Sequence, residues 1–68
     1  NMELIDTPNP NAKKIETDIQ DEEIVNSLNN IEGVSSIFIG PGFLTITKTE
    51  NVGWELITQE IINIFDKL

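Results

Sequence analysis

Val34-Ser35-Ser36-Ile37-Phe38-Ile39-Gly40-Pro41-Gly42-Phe43-Leu44-Thr45-Ile46-Thr47 carries the clearest structural signal in the chain. Val34 to Ile39 and Phe43 to Thr47 are rich in β-branched and aromatic residues, which suit a pleated, half-buried surface. Between them, Pro41 presets φ for the second position of a turn. Gly42 supplies the positive φ that the third position of a type II turn needs. Two strand-forming runs around such a turn predict a β-hairpin.

On either side of the hairpin the hydrophobic period changes. Upstream, Ile24, Val25, Leu28 and Ile31 form one helical stripe behind the acidic group Asp18, Asp21, Glu22 and Glu23. Carboxylates in a first turn meet the positive end of the helix dipole, and Asp21 is the expected cap. Asn29 and Asn30 weaken the helix end, and Gly33 is its expected stop. Downstream of Asn51, Trp54, Ile57, Ile61, Ile64, Phe65 and Leu68 recur at helical spacing, with Glu55, Gln59, Glu60 and Asn63 outward. Thr49 or Asn51 is the expected cap there. At the front of the chain, Met2–Asp6 and Ala12–Thr17 read as two short strands. The order ββαββα predicts an α+β fold: a four-stranded antiparallel sheet of two hairpins, with both helices on one face.

The first two strands are joined by Thr7-Pro8-Asn9-Pro10-Asn11-Ala12-Lys13. Each proline fixes its own φ and pushes the residue before it out of the α region. The asparagines can fold their amides onto the local backbone or take left-handed conformations. This composition specifies a stiff, shaped loop, more often a recognition surface than a catalytic one.

Composition excludes several functions. The 68 residues contain no cysteine and no histidine, and also no tyrosine. Thiolate metal sites and the usual general base near neutral pH are therefore unavailable. A chain this short is one domain at most, and a marginal one. Twelve Asp and Glu against four Lys give a formal charge of −8, which opposes nucleic acid and anionic membranes and chiefly favours solubility. No apolar run reaches the roughly 18–20 residues that span a bilayer. A soluble, cytoplasmic domain is expected, and Asn1 reads as a residue left over from expression.

Taken together, Thr7-Pro8-Asn9-Pro10-Asn11-Ala12, then Ile31-Glu32-Gly33-Val34, then Phe38 through Lys48 with its Gly40-Pro41-Gly42 turn, then Trp54, resemble the N-terminal domain of Nfu-type (NifU-like) iron–sulfur cluster scaffold proteins. The resemblance covers nearly the whole chain, with residues 2–68 as one such domain. Two features depart from the family pattern. The segment between Lys14 and the first helix is shorter than usual, and Gly42 stands where the family's turn carries an acidic residue. The resemblance implies a role in iron–sulfur cluster assembly or delivery. It also implies that the cluster is held by a Cys-x-x-Cys pair in a separate C-terminal domain, expected downstream in the full gene.

With no cysteine, this chain is expected to carry no cofactor itself. Its expected partners are the cluster-bearing domain, client apoproteins or other assembly factors. Candidate partner-binding residues are Thr7, Pro8, Asn9, Pro10, Asn11 and Lys48. Each also has a plainer reading: the loop as a strand connector, and Lys48 as a surface cation paired with Glu50 or the acidic helix. Trp54 reads as a core residue, because it shares the stripe of Ile57 and Ile61. The acids at Asp18, Asp21, Glu22 and Glu23 lack the alternating ligands and central glycine of a calcium loop, so a solvated face is expected. Without a base beside a nucleophile, no enzyme is expected. The alternative function is a free-standing interaction or regulatory module with the same fold and no part in cluster transfer.

Overall fold

A computed structural model describes residues 2–67, and within it the elements follow the expected order. They are β1 (Ile5–Asp6), β2 (Ala12–Glu16), α1 (Glu22–Asn29), β3 (Val34–Gly40), β4 (Phe43–Lys48) and α2 (Trp54–Asp66). The sheet runs β1-β2-β4-β3 with every neighbour antiparallel. Two hairpins thus meet along β2 and β4, with β1 and β3 at the edges. β1 is shorter than the sequence implied, because only Ile5 and Asp6 pair with Lys14 and Lys13.

The hairpin turn forms as its residues dictate. Gly40 pairs with Phe43, and Gly42 takes φ +79° between them, which glycine adopts without the steric cost a Cβ brings. The Gln20 amide Nε2 braces this end of the sheet, donating to Gly40 O at 2.7 Å and to Phe43 O at 3.2 Å.

Strand register puts Ile15, Leu44 and Ile46 on one face, and all three are fully buried there. Both helices cover that face, α1 through Ile24 and Leu28 and α2 through Ile57, Ile61 and Phe65. A fully buried Leu or Ile contributes about 1.5–3 kcal/mol, so a core this small depends on every member. The other sheet face carries Lys14, Glu16, Ser36, Phe38, Phe43, Thr45 and Thr47 and, among the described residues, has no helix over it.

The helix ends differ from the sequence reading. Asp21 does occupy the N-cap of α1, but its side chain makes no capping bond; only its carbonyl serves, accepting from Val25 N–H at 3.0 Å. α1 stops at Asn29 with Asn30 still right-handed, and Gly33, at φ +102°, acts later, turning the chain into β3. The N-cap of α2 is Gly53, not Thr49 or Asn51. Thr49 N–H bonds Gly33 O at 2.9 Å, which holds that residue to the start of β3 and delays the helix. Leu68, placed on the α2 stripe by its spacing, lies outside the described residues.

Candidate functional site

The loop between β1 and β2 is held by its own polar groups. Thr7 Oγ1 lies 2.9 Å from Ala12 O and 3.0 Å from Asn9 O, and it accepts from Asn9 N–H at 3.2 Å. Asn9 Oδ1 accepts from Asn11 N–H at 2.9 Å, an Asx turn. Ala12 N–H donates to Asn9 O at 3.0 Å, closing a β-turn with Pro10 second. No residue of the loop has positive φ, so this is a type I turn and neither asparagine is left-handed. Sequence composition gave the turn-forming residues, while the folded geometry selected among their conformations.

Trp54 and Lys48 tie the loop to the rest of the molecule. Trp54, the first residue of α2, is only half-buried. One side packs against the core, and its Nε1–H donates to Pro10 O at 2.9 Å. The ring also receives two cations, Lys13 Nζ at 5.3 Å and Lys48 Nζ at 6.0 Å from its centroid. Ammonium groups at that range are attracted by the indole quadrupole.

Lys48, read from the sequence as a surface cation, is buried, with 9 % of its surface exposed. By strand alternation it shares the face of Leu44 and Ile46. Its Nζ donates to Asn11 Oδ1 at 2.9 Å and Thr49 O at 3.3 Å, and its backbone N–H donates to Asn11 O at 2.8 Å. It pairs with neither Glu50 nor the acidic helix. Asn11 is thus gripped twice by one residue, which fixes the end of the loop on β4.

Beside this cluster, Asp6, Pro8, Asn9, Pro10, Lys13 and Trp54 line an open hollow of about 360 Å³. Lys13 also reaches Asp6 Oδ1 at 3.4 Å. Three of the four lysines, Lys13, Lys14 and Lys48, lie on the adjacent strands β2 and β4. The structure therefore brings all six candidate residues to one end of the sheet: Thr7 to Asn11 in the loop and Lys48 against Asn11. It adds Trp54 and Lys13, which the sequence did not mark as site residues. The available signal was the indole itself, which can donate a hydrogen bond only where its edge reaches a partner.

Among the described residues, no three carboxylates converge on a point where they could hold a metal ion. The acids before α1 instead face solvent singly. No described helix is long and apolar enough to cross a membrane.

The chain is similar in sequence and fold to known proteins. The family described as "Scaffold protein Nfu/NifU N terminal" matches residues 13–68. The human NFU1 iron–sulfur cluster scaffold homolog, mitochondrial, is 37% identical over 73 residues, covering 82% of this chain and 29% of its own length. This chain therefore spans less than a third of that relative. Since 82% of 68 residues is about 56, about 17 of the 73 positions have no counterpart here, in keeping with a shortened form. A NifU-like protein from Saccharomyces cerevisiae superposes with a TM-score of 0.74 at 30% identity, over 98% of this chain and 76% of that one. The Staphylococcus aureus protein SAV1430 shares the fold with a TM-score of 0.83 at 24% identity, over 93% and 94% of the two chains.

Proposed function

This chain belongs to the Nfu/NifU N-terminal family of scaffold proteins, and we propose that residues 2–68 act as one non-catalytic accessory domain in iron–sulfur cluster assembly or delivery. The observation that carries this reading is a family match over residues 13–68 in a sequence with no cysteine. A chain without thiolates cannot ligate a cluster by the Cys-x-x-Cys chemistry that the family resemblance implies. Its part is then contact with the cluster-bearing domain, a client apoprotein or another assembly factor. The cytoplasm is the expected compartment, although the name of the human relative assigns that protein to mitochondria.

The contact surface in this reading is the loop from Thr7 to Asn11 with Lys48 beneath it. Internal hydrogen bonds leave the loop little freedom to lose, so a partner meets it at a small entropic cost. Its two-cation indole supplies local positive charge on an otherwise acidic chain, and this favours an acidic patch on the partner.

The test is titration of the isotopically labelled chain with a purified Cys-x-x-Cys cluster domain, with and without its cluster. Amide shifts concentrated on Thr7–Asn11 and Lys48 are expected. Enrichment of assembly factors or apoproteins in affinity capture is expected as well. If the cluster domain leaves every amide unmoved and no such factor is enriched, the chain is instead a free-standing interaction module outside cluster transfer.

A further inference from the structure

We propose that the free edge of β3 is a docking site for an extended apolar segment of a partner protein, flanked by lysine or arginine, which adds to the sheet as a fifth strand. This inference concerns the far side of the sheet from the loop and does not rest on the function proposed above.

β3 is the last strand in the order β1-β2-β4-β3, so one of its sides faces no other strand among the described residues. Its pairing fixes which groups point there. Gly40, Phe38 and Ser36 lie opposite Phe43, Thr45 and Thr47. On β4, Thr49 N–H reaches toward β3 while Lys48 N–H reaches toward Asn11, so the odd-numbered residues serve β3. In an antiparallel ladder the outward groups alternate with these. The N–H and C=O of Ile37 and Ile39 therefore point to the open edge.

Exposed strand edges are normally blunted by charges, proline or short length. β3 has none of these: Val34–Gly40 is seven residues long and contains no charged residue and no proline, and the register shift between Val34 and Ser36 leaves residues 37–40 as the regular part of the edge. Its side chains invite pairing too. Phe38 is 63% exposed and Ile39 48%, two of the four large apolar side chains exposed among the described residues. Phe38 lies on the uncovered sheet face with its ring 6.1 Å from that of Phe43. Such an edge supplies main-chain hydrogen bonds for affinity and alternate side-chain contacts for specificity, the mode of β-strand addition.

Charge decides the occupant. Glu32, exposed, stands two residues before β3. At the other end, Asp18 Oδ1 lies 4.0 Å from where a side chain on Gly42 would begin. Glu22 and Glu23 are exposed on α1, the helix packed against β3. Among the described residues Lys14 is the one cation on the uncovered face, and it sits two strands away on β2, over the Phe43 ring. Two copies pairing β3 to β3 antiparallel would bring each Glu32 end beside the other's Asp18 end, between bodies of charge −8. Like-charge juxtaposition of that kind suppresses association. A segment with cationic flanks gains attraction at both ends instead.

The test uses the labelled chain and two blocked seven-residue peptides alternating valine and threonine, one with lysine at both ends and one with glutamate. The lysine-ended peptide is expected to shift β3 amides, slow hydrogen exchange at Ile37 and Ile39, and bind about tenfold tighter than the glutamate-ended one. Ile39→Pro removes one outward N–H without touching the β3–β4 ladder and should weaken binding about tenfold. If that variant does not fold, Ile39→Lys keeps the backbone and should narrow the preference for the lysine-ended peptide. Shifts located at the loop, or equal binding of both peptides, overturn the proposal. Sedimentation of the free chain as a dimer with Ile37 and Ile39 protected overturns the occupant, making it a second copy.

Discussion

The loop end and the β3 edge are two surfaces of one small sheet that treat their backbone polar groups in opposite ways. In the loop, the Thr7, Asn9 and Lys48 side chains and the indole of Trp54 bond the backbone or the amide of Asn11. On β3, the outward groups of Ile37 and Ile39 are left to solvent by the strand order. Prolines and asparagines make a segment that satisfies itself and offers a fixed shape. A run of β-branched residues at an edge offers hydrogen bonds that only another strand can complete. The contrast teaches that one domain can present two kinds of recognition surface, one preformed and one completed on binding.

The strongest way to break the contrast is to remove what both surfaces stand on. β4 pairs with β2 behind the loop and with β3, and Leu44 at its centre is fully buried. Leu44→Ala should cost about 2–5 kcal/mol, measured by denaturant unfolding, and both surfaces should then loosen together.

The next effect separates the two regions. Lys48→Met keeps the apolar stem but leaves Asn11 Oδ1 without its ammonium partner, at a cost of about 1–3 kcal/mol. Hydrogen exchange should quicken at Asn11 and Ala12 while the β3 amides hold their rates. Equal acceleration in β3 would mean the loop is not an independently held unit.

Trp54→Phe acts on the loop end alone. It deletes the bond to Pro10 O and weakens the attraction for Lys13 and Lys48, with an expected loss of about 1 kcal/mol in thermal or denaturant unfolding. Its exchange signature should again fall on the loop alone.

The smallest effect on stability belongs to the edge. Ile39→Lys changes a half-exposed side chain and should move unfolding by no more than about 0.5 kcal/mol. Its consequence is expected in peptide binding only. A large destabilisation would show that Ile39 serves the core rather than the edge.

Much of this was legible in the chain because it is local. Pro41 and Gly42 specify their turn through φ alone, and Ile57, Ile61 and Phe65 mark the buried stripe of α2 by their period. The misread positions are those with distant partners. Trp54 shares the period of the core residues, but periodicity gives a face and not how far along the helix the sheet extends. Lys48 alternates with Leu44 and Ile46, which marks it as inward, yet nothing local announces that Asn11, 37 residues earlier, will receive its ammonium. Thr49 is a good capping residue in isolation, and its backbone bond to Gly33 is what removes it from that role.

By itself, then, the sequence determined the element order, the hairpin turn, the absence of thiolate and imidazole chemistry, and the residues of the shaped loop. Each follows from backbone dihedral preferences, hydrophobic period or the side chains that are present. The tertiary structure alone decided which sheet face is covered, that Trp54 and Lys48 clasp the loop, and that β3 rather than β4 lies at the edge. Those are facts of long-range pairing, fixed when strands and helices compete to bury one small core, and no short window of residues contains them.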